Sequence, residues 1–380
     1  MKAVISKSDL VSLVGKIQSI VSAKPAIPIL SNVLIEALDD QLIISATDLT
    51  VSMRAFVDAK IIEEGATTLP ARRFFQLIRE ITSPQIKITT QTNEIAEITA
   101  GSSTFKIHGM HKNEFPALPD LNGAPQFSIP SSQFREMLFR SSFAAAREDS
   151  RYVLNGILLK IENQVAHFTG TDGKRLAKTH TSVDLDPSFQ GTYIFPLKAV
   201  EEMTKMLGED DSQSSLTLMH DKVCLEAGNL TLMTKLLSGQ FPDVERVIPQ
   251  DPKISFRLHR EELMSLLRQV SLFTTDTSSS VKFTFETGAL HLLAESSEIG
   301  EGSVNMPVDY SGETFTVAFN PYYFLDILRH SQDETVVFSI EDPYNPGLIT
   351  DSTSSLFVIM PMRLPVSSTA NDAPEKPALT

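Results

Sequence analysis

The sequence is nearly devoid of cysteine: Cys224 is the single one in 380 residues. One thiol excludes an internal disulfide and any thiolate cluster for a metal, so Cys224 reads as a small hydrophobe in a strand. Long apolar runs are missing as well. No stretch approaches the roughly 18 residues that cross a bilayer, and the opening MKAVISKSDL lacks the apolar segment of a secretory signal. The chain is therefore expected in the cytoplasm, without a membrane partner. Positive charge is also short, with 33 Lys and Arg against 47 Asp and Glu and a formal net charge of -14. That balance argues against an indiscriminate nucleic-acid binder, but net charge describes only the far field. Charges more than about 8–10 Å apart are largely screened at physiological salt, so a locally basic surface can still touch DNA.

Catalytic strings are absent too: no G-x-x-x-x-G-K-[ST], H-E-x-x-H or G-x-S-x-G occurs. Thr171-Asp172-Gly173-Lys174 suggests an Asp–Lys acid/base pair and His108 with His111 suggests a metal, but neither belongs to a convergent site. No enzymatic activity, metal or cofactor is expected.

What the sequence does contain is a unit written three times. The stretch RYVLNGILLKIENQVAHFTGTDGKRLAK, Arg151 to Lys178, reads as a β-hairpin running into a polar knot. Shifted back by 124, Leu154, Ile157 and Thr171-Asp172 fall on Leu30, Val33 and Thr47-Asp48, and the turn Asn163-Gln164 falls on Asp39-Asp40. Shifted forward by 124, Ile157 falls on Val281, Asn163-Gln164 on Thr287-Gly288 and Gly170 on Ala294. The third copy replaces Thr-Asp with Glu295-Ser296.

Each copy also carries two helical patterns. Leu10, Leu13, Val14, Ile17, Ile20 and Val21 mark the first, with Ser8 or Asp9 as its N-cap; Phe74, Leu77, Ile78 and Ile81 mark the second, opened by Leu69-Pro70. Phe134, Met137 and Leu138 repeat the first, and Pro196, Val200, Met203 and Leu207 the second. Leu263, Leu266, Leu267 and Val270, then Phe324, Ile327 and Leu328, supply the third pair. Units of about 120 residues are too long for a solenoid, whose repeats run to about 20–50. The expected fold is α+β: domains at 1–122, 126–250 and 251–364, each with two helices packed on antiparallel sheets, and a disordered tail at 365–380.

Six strings identify a resemblance: IPILSN from Ile27, LPARRFF from Leu69, RYVLNG from Arg151, TDGKRLA from Thr171, FPDVERVIP from Phe241 and VIMPMRL from Val358. Together, in order and with nearly constant spacing over residues 1 to 364, they resemble the β subunit of bacterial DNA polymerase III, the sliding-clamp family. The resemblance implies a homodimer closed head to tail into a ring, with helices lining a central hole and sheets outside. It makes the acidic total intelligible, because the helix stripes facing the hole would bear Lys16, Arg72, Arg73, Arg79, Arg135, Arg140, Lys198, Lys205, Arg260 and Arg268. Such cations would hold double-stranded DNA through phosphates, independently of sequence.

The resemblance further implies DNA contacts at Lys24, Arg72, Arg73, Arg147, Tyr152, Lys198 and Lys205. Two positions depart from the family: relatives often carry an amide where Glu148 stands and an aromatic where Val153 stands, which weakens contacts there. A peptide-binding pocket is implied at Leu154, Thr171, Gly173, Lys174, Arg175, Leu176, Pro242, Arg246 and Val247, together with Val358, Ile359, Met360, Pro361, Met362 and Arg363. Its partners would be the DNA polymerase III catalytic subunit, the clamp loader, and other DNA polymerases and repair proteins carrying clamp-binding peptides. The dimer contact is expected at Phe105 and Ile107 in one chain, against the region Glu298 to Asn305 and Leu272-Phe273 in another. Where the family often ends at Leu364, this chain continues from Pro365 for 16 residues. Leaving from the pocket's own strand, that tail is expected to tune access to the pocket. Truncation after Leu364 should therefore change partner-peptide affinity, and an unchanged affinity removes the idea.

Overall fold

A computed structural model describes residues 1–22, 24–90, 94–117, 124–275 and 279–363. The expected tail, Leu364, and Asn122 and Gly123 of the first linker lie outside them. The chain divides into two compact units, Met1–Pro242 and Asp243–Thr380.

The first unit holds two copies of the module. Hairpin Asn32–Leu38/Gln41–Thr47 and hairpin Gly156–Glu162/Val165–Thr171 occupy equivalent places. Their turns are alike in conformation, with positive φ at both central residues: 47° and 62° at Asp39-Asp40, 52° and 60° at Asn163-Gln164. Two consecutive left-handed residues match the right-handed twist of the flanking strands, which fixes hairpin register. A second strand set joins the copies. In an eight-stranded sheet, Leu230–Lys235 of the second copy pairs antiparallel with Val51–Asp58 of the first, from Leu230 opposite Ala55 to Thr234 opposite Val51. Buried Cys224 lies in the neighbouring strand Lys222–Ala227, and burial pushes its thiol up to about 12.

Six helices are described: α1 Lys7–Ile17, α2 Ala71–Glu80, α3 Ser131–Ser142, α4 Leu197–Met206, α5 Arg260–Val270 and α6 Pro321–His330. They touch in pairs, α1 with α2, α3 with α4 and α5 with α6. Gly15 allows the first close approach, since a β-carbon there would stand 3.3 Å from the Phe75 ring. Two helix boundaries differ from the sequence pattern. The cap of α1 is Ser6 rather than Ser8 or Asp9, and its side chain makes no capping bond. The helix also stops at Ile17, before Ile20 and Val21, because the backbone tightens into bonds from Ile20 N–H to Ile17 O and Val21 N–H to Gln18 O. Both side chains remain buried, so the apolar periodicity outlasts the helix.

The second unit contains the third copy. Phe315–Phe319, Val281–Glu286, Ala289–Ser296 and Gly300–Pro307 form one sheet in that order. Ile254–His259, Thr335–Ile340, Gly347–Thr350 and Leu356–Ile359 pair successively. Its core is aromatic: Phe283 and Phe324 stack at 5.2 Å, and Phe285 lies 5.8 Å from Phe338. Such contacts each contribute about 0.5–1.5 kcal/mol beyond area burial. The closing strand is shorter than the apolar run Leu356 to Leu364. It ends at Ile359, and Met362 instead makes an isolated bridge to Ala318.

At one position the copies differ for a visible steric reason. Ala46 and Ala294 are buried in the first and third copies, whereas the second has Gly170. A β-carbon on Gly170 would sit 2.2 Å from the Ser141 carbonyl oxygen, so α3 approaches its hairpin more closely than a methyl allows. Gly170→Ala should destabilise the first unit by about 1–3 kcal/mol, read as a lowered midpoint in chemical denaturation.

Candidate DNA-facing and peptide-binding surfaces

In the first unit the helices bury one face each, Leu10, Leu13, Val14 and Ile17 on α1 and Ala71, Phe74 and Ile78 on α2. Lys16, Arg72 and Arg73 lie exposed, and among the described residues no carboxylate pairs with them. Lys24 is exposed as well. The cations of α4 are already engaged. Lys198 is ion-paired with Asp48 of the first copy, and Lys205 with Glu202 at 2.7 Å. Glu202 is only 6% exposed and also accepts from Ser19 Oγ of the first copy at 2.7 Å. Lys16 and Lys205 share one cleft of about 320 Å³ whose walls include Ser12, Ser19, Val11, Met53, Met206 and Leu230. Cations from both copies thus converge on a single surface. Arg147 pairs with Glu201 at 3.3 Å, and Tyr152 is 75% exposed.

One member of the expected helix stripe does not lie at the surface. Arg140 is 2% exposed and bonded to Glu136 at 2.9 Å, because its position on α3 faces inward. It is unavailable to a phosphate.

The polar knot that follows each hairpin of the first unit is built by one aspartate. Asp172 Oδ1 accepts from the backbone N–H groups of Lys174 and Arg175, at 2.9 and 3.0 Å, and Oδ2 from Arg175 Nε at 3.1 Å. Thr171 Oγ1 donates to the Arg175 carbonyl and accepts from Gly173 N–H. The first copy repeats this arrangement: Asp48 Oδ1 accepts from Thr50 and Val51, and Thr47 Oγ1 donates to Val51 and accepts from Leu49. Burial pushes the Asp48 carboxyl upward. The Lys198 bond and those two backbone N–H groups outweigh it and hold the carboxyl below the usual range. Both knots need a left-handed third residue, Leu49 at φ 75° and Gly173 at φ 83°.

Around the second knot, Leu154 and Leu176 are buried, Thr171 nearly so, and Gly173, Lys174 and Pro242 exposed. The Arg175 guanidinium lies 5.6 Å over the Phe143 ring at the end of α3. Arg151, which the sequence did not single out, bonds Asp149 through Nε at 3.0 Å and Nη2 at 2.8 Å. Its side chain covers Gly173, where a β-carbon would meet Nη2 at 3.2 Å. The Asp149-Ser150-Arg151 spacing was the available signal for the local pair, but the reach to Gly173 depends on the folded hairpin.

In the second unit, Val358 and Ile359 are buried while Met360 is 37% exposed. Pro361 and Met362 are half-buried and Arg363 exposed. Val247 is 39% exposed, and Arg246 bonds Asp243 at 2.8 Å. Arg268 is exposed, but Arg260 is half-buried and bonds the Leu328 carbonyl at 3.2 Å.

Each unit also ends a sheet in an open strand. Ser103–His108 is an edge in the first unit and Gly300–Pro307 in the second. Phe105 is 38% exposed on the former, whereas Ile107, expected beside it at a subunit contact, is 6% exposed and packs into its own core. Both residues lie on one face of the strand by alternation, and only Ile107 reaches the core of its own sheet. Leu272 is 73% exposed. Phe273 packs on Gly302, where a β-carbon would be 2.3 Å from the ring.

Three family models match in succession: the N-terminal, central and C-terminal domains of the DNA polymerase III beta subunit, over residues 1–119, 128–243 and 245–363. A beta sliding clamp from Chlamydia muridarum is 54% identical over 364 residues, covering 96% of this chain and 99% of that one. The crystal structure of the Pseudomonas aeruginosa DNA polymerase III subunit beta is similar at TM-score 0.92 and 28% identity, covering 96% of this chain and 100% of that one. A P. aeruginosa sliding clamp solved with griselimycin bound gives TM-score 0.92, 29% identity and the same coverage. These similarities define the class as a DNA-replication processivity factor, which is not a catalyst. The chain belongs to the DNA polymerase III beta subunit family.

The Asp149 carboxyl is held at about 2, chiefly by the Arg151 side chain and backbone N–H. Because the folded value lies below the ordinary 3.8, the pair's contribution is present above that value and lost as pH falls toward 2. Carboxyl NMR should find Asp149 still ionised at about pH 3, a pH between its folded and ordinary values, and clearly more protonated there in Arg151→Gln, which keeps only the backbone N–H bond. A midpoint near the ordinary value in the native chain would remove the bond.

Proposed function

We propose that two copies of this chain close head to tail into a ring around double-stranded DNA, and that the ring tethers the replicative polymerase through a peptide site on each copy. The observation that carries this reading is the surface shared by Lys16 and Lys205, with exposed Arg72 and Arg73, on a chain whose net charge is -14. An acidic total with cations gathered on helix faces suits a hole that holds phosphates loosely and an exterior that repels them. Phosphate contacts fix no base sequence and weaken as salt rises, so they permit sliding. Lys24, Arg147, Tyr152, Lys198 and Lys205 complete the DNA-facing set. Exposed ion pairs contribute about 0–1 kcal/mol, so a phosphate can take Arg147 from Glu201 at small cost, whereas Lys198 and Lys205 keep their largely buried carboxylates and meet a phosphate from those pairs. Glu148 opposes a phosphate nearby.

The domains are assigned to 1–122, 126–250 and 251–364. For the ring, strand Ser103–His108 of one copy pairs with Gly300–Pro307 of the next. Open edges with exposed apolar side chains need cover, and Phe105, Leu272 and Phe273 supply it here. Ile107 supports that contact from behind.

The residues assigned to peptide binding are Leu154, Thr171, Gly173, Lys174, Arg175, Leu176, Pro242, Arg246, Val247, Val358, Ile359, Met360, Pro361, Met362 and Arg363. Methionines reshape around different side chains, which suits several partners. Those are the catalytic subunit of DNA polymerase III, the clamp loader, and other DNA polymerases and repair proteins with clamp-binding peptides, all in the cytoplasm. No helix among the described residues is long and apolar enough to cross a membrane.

The test is topological. After loading on nicked circular DNA the protein should stay bound, and it should run off once the circle is cut. Leu272→Ala with Phe273→Ala should give monomers by light scattering at low micromolar concentration and abolish retention on the circle. Retention after linearisation would refute encirclement, and a persistent dimer would misplace the interface.

A further inference from the structure

We propose that Arg151 is a positioning residue that couples the DNA-facing loop to the peptide site, so that duplex DNA in the ring tightens peptide binding. The inference rests on the function proposed above. A single turn, Tyr152–Asn155, carries one residue of each surface: Tyr152 is 75% exposed toward solvent, and Leu154 is 1% exposed in the peptide site's floor. The segment leading into it is closed on itself. Ala146 N–H donates to the Leu154 carbonyl at 2.9 Å, Asp149 N–H to Asn155 Oδ1 at 2.8 Å, and Asn155 Nδ2 to the Asp149 carbonyl at 3.0 Å. A pull on Arg147 or Tyr152 is therefore transmitted to the whole segment.

Arg151 connects that segment to the knot. Its guanidinium bonds Asp149, reaches the Asp172 carbonyl at 3.5 Å and fills the space over Gly173, the residue at which a peptide backbone could approach most closely. It is also 60% exposed and stands one residue from Tyr152, so a duplex phosphate competes directly for it. A fork of guanidinium donors bonds phosphate as readily as carboxylate. The side chain thus has two alternative positions: over Gly173 on the free protein, and toward phosphate with DNA present. The second uncovers the knot. Because both ligands bias the same two-position element, the effect is reciprocal: peptide binding must tighten DNA binding by the same factor.

The test uses the full chain and a fluorescent peptide carrying a glutamine and two large apolar side chains, titrated with and without saturating short duplex at low salt. In the native protein, duplex should tighten the peptide by about five-fold or more, the lower end of ordinary coupling. In Arg151→Ala the two affinities should become equal. The readout is their ratio, which simple destabilisation of the loop does not bring to one. If the native protein binds both ligands but its peptide affinity is unchanged or weakened by duplex, or if Arg151→Ala keeps the tightening, the coupling is overturned while the proposed function stands. If the native protein binds no peptide, the proposed peptide site fails; if it takes up no duplex at low salt, the coupling is overturned, and encirclement is still judged by retention on the circle.

Discussion

One aspartate carboxylate per knot, Asp48 in the first copy and Asp172 in the second, is the interaction on which the first unit depends. Each gathers two backbone N–H groups within a four-residue span and leaves its other oxygen for a cation. Without that carboxylate, a chain leaving one strand and entering the next would expose unpaired donors in a tight turn, at a cost of about 1–3 kcal/mol for each one buried. The knot thereby sets where the following strand begins. In the second copy that strand is Arg175–Ser182, and in the first Val51–Asp58, which joins the two copies across one sheet.

The free oxygen distinguishes the copies. In the first, Asp48 takes Lys198 from α4 of the second copy, so the knot becomes a fastening between modules. In the second, Asp172 takes Arg175 from its own knot, and that side chain lies over Phe143. The same motif therefore ties modules together at one place and fixes an arginine against the end of α3 at another. An arginine suits the second role because its planar guanidinium can bond a carboxylate at its edge and an aromatic ring on its face at once. A lysine suits the first, which requires only a point charge at the end of a helix.

Much of this was legible in the chain. The 124-residue repeat predicted hairpins turning at Asp39-Asp40 and Asn163-Gln164, and both turns carry paired left-handed residues. Apolar periodicity located the helices but not their ends, because Ile20 and Val21 stay buried after α1 has tightened out of helical geometry. Periodicity also could not separate Arg140 from its neighbours. A charged side chain reads as exposed unless its partner is known, and Glu136 lies on the same helix, where i,i+4 pairing is equally common at the surface. Edge position was readable for Ser103–His108, but how far along that strand the core extends, burying Ile107 and leaving Phe105 out, was not. The fastenings Lys198 to Asp48 and Ser19 to Glu202 join residues 150 and 183 positions apart. No local pattern encodes such distances.

The third copy shows what happens when the aspartate is lost. Glu295-Ser296 stands in place of Thr-Asp, and no knot forms: Ala289–Ser296 pairs with Gly300–Pro307 to the end, with Ser296 opposite Gly300. A tight hairpin replaces the polar turn, and the following strand remains an open edge of its sheet. That edge contains Gly300 and Gly302, and the second glycine gives Phe273 a flat seat against the strand. In the first copy the strand after the knot is paired on both sides, by Gln41–Thr47 and Leu230–Lys235, whereas here it is an edge with Phe273 beside it. An open edge of this kind is a liability for a solitary protein and an asset for one that pairs with its own copy. Without that carboxylate the strand after the third hairpin keeps an open edge with Phe273 seated against it, whereas Asp48 ties two modules together and Asp172 holds Arg175 over Phe143.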